Sequence, residues 1–580
     1  MYQKNGKYLF KISALALAVA GTAFVAGCSD NDDSSPTQAS TFDSDTQALT
    51  RLATVPLGSE VTGLFLSEEG DLFFNVQHPS DSNTAQDVDG KVFSAAAVGV
   101  VRDADFSASD MGFNELAMPA DGDEKELVRT AVGSYDVLAQ NGDAWAGAPT
   151  GGMGAINTMD GSSTLKVSND PDFNAFVSTG AGEGYLFTNW EDRPGGMSRM
   201  KIRKNDTGNW NVVDNDVMMV DFSPVSGTWV NCFGTLSPWG TPLTSEELYF
   251  DNTADWNNSN YSYISDNELL QDYLGGTYPN PYDYGYIVEI TDPTSATPVP
   301  VKMRALGRFS HENAVVMPDE KTVYLSDDGT GTVFFKFVAD TAGDLTAGTL
   351  FAAKVTQDAS SDPAIAGFDI EWVELASGDN TTIDAWVTEY DGIDQTDYVA
   401  GSTSYISDAE INNWAEEKLN QDLDGQNGIG VNPFGDDRVA FLESRKAAAA
   451  LGATAEFRKM EGVNINLEGA RDGSVPFAYM AMSNFNATMG DDQGNIQLDA
   501  TNGDCGVVYQ MSLSSTFDIA RMVPAIVGGP YDASATLNNC SADNISEPDN
   551  LLVLRDGRVL IGEDSGEHEN NMLWLFDPEA

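Results

Sequence analysis

The sequence predicts an all-β chain: a β-propeller of about six blades, at ~40–50 residues for a minimal blade, with one helical insertion near residues 405–455. Three observations carry that prediction. Strand-length apolar runs recur between Gly, Asp, Asn and Pro turns, helical periodicity is confined to one stretch, and a composite motif occurs twice. In its first copy Glu312-Asn313 leads into an apolar run, a turn at Asp319, strand 323–325, Asp327-Asp328-Gly329 and strand 332–337. In its second, Asp549-Asn550 leads into an apolar run, a turn at Asp556-Gly557, strand 559–561, Glu563-Asp564 and strand 571–576. The copies lie 237 residues apart at the first acid (549 − 312) and 236 after the turn (563 − 327). Blades present equivalent points at one mouth of a central channel, so acids repeated in this way converge on its axis.

Taken in chain order, the first residues read as an export signal rather than as fold. Lys4, Lys7 and Lys11 precede an apolar, Ala-rich stretch from Ile12 to Val25, too short to span a bilayer comfortably. Val25-Ala26-Gly27 before Cys28, followed by Ser, Asp and Asn, resembles a bacterial lipoprotein signal, in which Cys28 becomes the acylated first residue. Residues 1–27 are then the signal peptide, 28–50 the acylated Cys and a polar, disordered tether with little to bury, and 51–580 the propeller. The expected location is exported and membrane-anchored, at the outer membrane and periplasm or the cell surface. Strand signals follow at Asp71–Asn75, Gly184–Phe187, Gly285–Ile290, Thr322–Leu325, Thr332–Phe337, Gly506–Tyr509 and Val559–Ile561, each rich in β-branched or aromatic residues. Helix signals appear at Asp408–Leu419 and Val439–Leu451. Three cysteines remain after Cys28. Cys505 and Cys540 lie in adjacent loop-rich segments and are able to pair, which leaves Cys232, whose ordinary fate would be a buried small hydrophobe.

Composition narrows the function. With 30 Lys and Arg against 89 Asp and Glu the net charge is −59, so the chain is repelled by phosphate backbones and nucleic-acid binding is excluded. At 41% hydrophobic and 10% aromatic residues the bulk can build a core. There is no G-x-S-x-G elbow, H-E-x-x-H or P-loop, and three His (His78, His311, His568) cannot furnish a multi-His zinc site. What remains is carboxylate, the ligand of hard cations such as Ca²⁺, Mg²⁺ or Fe³⁺, whose natural substrates are oxyanions. Of the bland readings, His311 is structural, His78 satisfies a turn hydrogen bond, His568 is solvated in an acidic loop, and the Tyr278–Tyr286 stretch is packing. Asp422–Gly428 reads equally as the start of a calcium loop or as a surface turn.

Three acidic, turn-rich segments stand out: Cys232–Glu247 with its Pro238-Trp239-Gly240 and closing Glu246-Glu247, Arg308–Val315, and Ser546–Asn550 closing with Gly562-Glu563-Asp564. With Asn75–Ser80 and Asn189–Asp192, in order from about residue 60 to the C-terminus, they resemble the PhoX-type alkaline phosphatases. The resemblance implies a six-bladed propeller that hydrolyses phosphate monoesters with Ca²⁺ and Fe³⁺ in its channel. Carried over residue by residue, it makes Cys232 the iron ligand, Glu247 a bridging carboxylate, and Glu312 and Glu461 further metal ligands, with Glu312 also catalytic. Asp564 becomes a calcium ligand and Asp328 and Asp549 additional ones. Lys459, or Arg458 one step off, takes the place of the family's phosphate-clamping Arg, and Trp190 stands where relatives carry His. The implied partners are a small phosphate ester and, through Cys28, a membrane. Two rival readings remain: a calcium-stabilised propeller that binds a cell-surface partner without turnover, and a calcium-dependent lactonase or esterase.

Overall fold

The computed structural model describes residues 48–107, 112–120, 122–247, 253–261, 264–426 and 428–580. The expected signal sequence, Cys28 and most of the expected tether lie outside the described residues. Strands dominate, and the sheets share one plan. Glu60–Leu66, Pro171–Gly180, Asn231–Leu236, His311–Val316, Met460–Ile465 and Pro548–Val553 each open a sheet unit of antiparallel strands that step outward. The first strands touch one another in a closed ring, in chain order and back from Pro548–Val553 to Glu60–Leu66. This is the arrangement of a β-propeller. Two units merge into a nine-stranded sheet where Phe368 and Asp369 of one edge pair with Met522 and Arg521 of the next.

The composition of the strands follows from this packing. Inner and second strands are covered on both faces by neighbouring units, so they read as continuous apolar runs rather than as alternation. Leu72–Gln77, His311–Val316, Thr322–Asp327 and Met572–Phe576 are buried along their whole length. Outer strands such as Asp344–Gln357 alternate buried and exposed side chains. The last unit is built from both ends of the chain: Leu49–Thr54 pairs with Met572–Phe576, from Leu49 opposite Phe576 to Thr54 opposite Met572. The propeller thus begins slightly before residue 51.

The insertion is helical where expected and more elaborate. Asp408–Leu419 starts in a reciprocal cap between Ser407 and Glu410 and stops at Asn420 in the left-handed conformation. The expected helix from Val439 to Leu451 is two helices, Arg438–Leu442 and Ser444–Ala450, parted at Glu443. The Glu443 carboxylate accepts from the hydroxyls of Thr253 (2.6 Å) and Tyr282 (2.7 Å), a tertiary demand that takes its backbone to φ −132° and ψ 49°. Helices also form at Ile264–Tyr273 and Asn380–Val387, outside the stretch with clear periodicity. Tyr282, Tyr284 and Tyr286 are fully buried packing residues. Cys505 and Cys540 form a disulfide, and Cys232 is a buried free thiol.

Candidate metal centre

Each first strand brings one ligand-type side chain to the same level of the channel. Glu60 is the first residue of its strand, and Asp172, Cys232, Glu312, Glu461 and Asp549 are each the second of theirs. A second tier comes from the residue just after each second strand: His78, Glu191, Glu247, Asp328, Ser483 and Asp564. One backbone hydrogen bond recurs to fix this tier. The N–H groups of Glu191, Glu247, Asp328, Ser483 and Asp564 donate to the carbonyls of Asp170 (2.7 Å), Val230 (2.9 Å), Ser310 (2.9 Å), Lys459 (3.1 Å) and Glu547 (3.2 Å). Those carbonyls belong to the residue immediately preceding each first strand. Three of these preceding residues, Val230, Lys459 and Glu547, hold left-handed φ of 48°, 49° and 42°, a strained conformation for side chains with a Cβ, above all a branched one.

Strand alternation divides the labour of the acid pairs. Glu246 accepts from Gly285 N (3.0 Å), Tyr286 N (3.1 Å) and Lys302 Nζ (2.9 Å), whereas Glu247 joins the centre. Asp327 takes Arg445 Nε (2.9 Å) and Val333 N (3.1 Å), and Asp328 belongs to the second tier. Glu563 takes Trp574 Nε1 (2.7 Å), Met572 N (2.9 Å) and His568 Nδ1 (3.0 Å), while Asp564 joins the centre. The acid-Asn steps divide in the same way. Asn313 exchanges two 2.9 Å hydrogen bonds with the backbone of Val463, and Asn550 accepts from Gly63 N at 2.7 Å, so each amide stitches its strand to the next first strand.

The ligand atoms form four overlapping sets of three, every atom within 4.8 Å of the others in its set: Glu191–Cys232–Glu247, Asp172–Cys232–Glu312, Glu312–Glu461–Asp549 and Glu60–Asp549–Asp564. Cys232 Sγ lies 3.0 Å from Asp172 Oδ2 and 3.1 Å from Glu312 Oε2. Burial and then mutual repulsion push the carboxyls up, Asp172 to about 8 and Glu191 and Glu461 to about 7, and raise Glu247, Glu312 and Asp549 well above the carboxylate range. Burial and the same neighbours raise the Cys232 thiol. Glu312 Oε1 is buried with no hydrogen-bond partner. So dense a set of oxygen donors, short of N–H partners and carrying one thiol, fits cations: the oxygens suit hard ions, and a thiolate adds affinity for a transition metal.

Cys232, Glu247, Glu312, Glu461, Asp549 and Asp564, all named from sequence, are brought together. Asp328 sits beside them but in none of the four sets; Lys459 Nζ reaches its Oδ2 at 2.6 Å and Glu461 Oε1 at 3.1 Å. Burial would raise the Asp328 carboxyl, yet the Lys459 ammonium and a hydrogen bond from Glu247 hold it below the ordinary range. Arg458 instead turns its guanidinium to the Thr330 hydroxyl. Cys28 lies outside the described residues. Sequence reasoning missed Glu60 and Asp172 and left Glu191 without a role; the signal available was their place at the start of a first strand or the end of a second.

The histidines divide. His311 is buried, its Nε2 2.9 Å from Gly307 O, and burial lowers it to about 3, so it is neutral and structural. His78 makes the expected turn bond to Gly58 O (2.7 Å) but also contacts the Glu60 carboxylate; burial opposes its proton, yet Glu60 raises it to about 11. His568 is not solvated, because Glu563 and Ser541 O (3.2 Å) hold it in a buried pocket. From Asp422 to Gln426 the chain winds on the Glu416 carboxylate, which collects the N–H groups of Leu423 (2.8 Å) and Gly430 (2.6 Å), and the ligand atoms of Glu416, Asp422 and Asp424 lie within 4.8 Å of one another, as a cation site requires.

A family model described as Alkaline phosphatase PhoX matches residues 193–577. Among solved structures, the chain is similar to Pseudomonas fluorescens PhoX in complex with vanadate, a transition state analogue. The identity is 20%, with 77% of this chain and 84% of that chain covered and a TM-score of 0.52, a likeness of fold. A looser similarity, to a putative 6-phosphogluconolactonase from Bacteroides uniformis, has 9% identity, 70% and 87% coverage and a TM-score of 0.23, too low to bear on the chemistry. No curated protein matches the chain.

Proposed function

Because the chain belongs to the PhoX alkaline phosphatase family, and is therefore a metal-dependent phosphoric monoester hydrolase, we propose that the two tiers at the channel mouth are its active centre and that its ions are Ca²⁺ and Fe³⁺. The observation that carries this reading is the convergence of Cys232 with Asp172, Glu191, Glu247 and Glu312, a thiol inside a carboxylate cage with an unpartnered Glu312 oxygen. Cys232, Glu191 and Glu247 would hold the iron, while Glu60, Asp549 and Asp564 offer an all-oxygen set suited to calcium. Bound there, the ions supply Lewis acidity toward the phosphoryl oxygens.

The protein's own groups do the rest. The strand register fixes the ligand atoms before substrate arrives, so little reorganisation accompanies the reaction. Lys459, its side chain 29% exposed, presents positive charge at the rim and offsets charge gathering on the phosphoryl oxygens. A Lys here is a point charge without the planar fork of Arg, so phosphate binding rests more on the ions. The strained residues Val230 and Glu547 themselves carry the carbonyls that accept from the N–H groups of Glu247 and Asp564 and so position them.

We also propose that the protein is exported and held by lipid at Cys28, with the released phosphate taken up by the cell. Metabolic labelling with a fatty acid, lost in Cys28→Ala, tests the anchor.

The centre is tested on protein starting after Cys28, by metal content and p-nitrophenyl phosphate hydrolysis with and without Ca²⁺. Iron and calcium together, and turnover lost on chelation, are expected. Cys232→Ser should lose iron and reduce kcat/KM at least 100-fold with the fold intact. Calcium alone without turnover, even after iron reconstitution, would instead favour a calcium-braced binding propeller.

A further inference from the structure

One sector of the mouth departs from its neighbours. Asp328 occupies the same place after its second strand as Glu191, Glu247 and Asp564, and its N–H is held by the same kind of carbonyl. Those three each belong to a set of ligand atoms close enough to share an ion; among the described residues Asp328 belongs to none. What faces it, beside the Glu247 carboxyl that hydrogen-bonds to it, is an ammonium: Lys459 Nζ stands 2.6 Å from Asp328 Oδ2 and 3.1 Å from Glu461 Oε1.

The position of that ammonium is built into the backbone on both sides. Lys459 precedes the first strand Met460–Ile465, its N–H donates to Gly329 O at 2.7 Å and its carbonyl accepts from Ser483 N at 3.1 Å, with φ at 49°. Gly329 follows Asp328 directly, so one hydrogen bond fixes the spacing between the cation's backbone and its partner. The Asp328 side chain is fully buried, and a buried carboxylate requires a compensating charge.

We infer that Lys459 is a tethered cation standing in for a metal ion in this sector, with Asp328 as its partner rather than a metal ligand. The inference rests on the reading of the mouth as a metal centre and refines it. A covalently attached +1 charge does not exchange and is not removed by chelators, whereas a calcium ion is both exchangeable and able to gather six to eight oxygens. The sector would therefore stay neutralised during metal loss, and Glu461 would be shared between Lys459 and the Glu312–Glu461–Asp549 set.

The test is metal stoichiometry by mass spectrometry after equilibration with excess Ca²⁺ and iron, with unfolding followed by circular dichroism. Lys459→Met should bind one more divalent ion per chain than the wild type and gain more thermal stability from added Ca²⁺. Lys459→Met/Asp328→Asn should return to the wild-type count, and Lys459→Arg and Asp328→Asn should each leave it unchanged. An unchanged count in Lys459→Met, or an ion lost in Asp328→Asn alone, overturns the inference. Should Lys459→Met not fold, Asp328→Asn decides by the same criterion. A wild type without any bound metal sinks the metal centre itself, which separates that failure from this one.

Discussion

At the scale of single residues, adjacent identical acids carry opposite duties. Glu246 is an anchor: with Lys302 it forms an ion pair whose side chains are 0% and 3% exposed, and two further N–H groups converge on it. Removing its charge leaves the buried Lys302 ammonium without its counter-charge, held by the Asp283 carbonyl at 2.6 Å, so Glu246→Gln should cost about 3–5 kcal/mol. Burial and Asp328 raise Glu247, so the metal-free fold disfavours its ionised form and gains nothing from its charge. Glu247→Gln should leave the metal-free melting temperature unchanged or higher while lowering metal affinity about 10–100-fold. Equal thermal losses in the two variants would refute the division. His568 gives a pH-dependent case. Burial opposes its proton, but the charge and hydrogen bond of Glu563 raise its pKa overall. Its contribution to stability is then complete below about 6.5, the unfolded value, and fades as pH rises through the folded one. Melting temperatures of wild type and His568→Gln should differ most in mild acid and converge in alkali. The acid pairs were legible because two adjacent acids after an apolar run are conspicuous. Glu60 and Asp172 were not, since a single acid before a strand resembles any turn residue.

At the scale of elements, the strands were readable because burial on both faces writes them as unbroken apolar runs, such as Leu72-Phe73-Phe74. Two features escaped because their causes are tertiary. Helix Ile264–Tyr273 buries only Asn267, Leu270 and Tyr273, too few for a clear apolar stripe. The break at Glu443 depends on hydroxyls from Thr253 and Tyr282, far away in sequence. The acid-Asn motif was legible as a repeat, but only the structure separates the acid that faces the channel from the amide that joins neighbouring units. Asn313→Ala would leave the N–H and C=O of Val463 without their 2.9 Å partners. The expected cost is about 1–3 kcal/mol, with faster amide exchange at Val463 than in the remote strand Glu183–Trp190. Uniform protection across both strands would argue that the stitch is dispensable.

At the scale of the whole molecule, the repeat 237 residues apart foretold equivalent sheet units around a channel. It could not foretell the closure, because Leu49–Thr54 has no counterpart in the repeat and lies beside a polar segment. Closure between the two ends makes the ring cooperative: a chain starting at Val55 lacks the partner strand of Met572–Phe576. Such a chain should melt at least 10 °C lower, and the synthetic peptide 48–54 added in trans should restore part of the loss. A truncated chain that melts like the wild type would show that the ring does not depend on its clasp.

The same clasp has a mechanical side. Leu49 is the point at which the preceding chain enters the propeller, and its strand is held between Met572–Phe576 and the short strand Arg129–Thr130. Any tension on the leading segment is delivered to this seam before it reaches another part of the ring. A pull applied to the segment before Leu49 would therefore peel Leu49–Thr54 away from Met572–Phe576 and Arg129–Thr130 before it loaded any other strand of the ring.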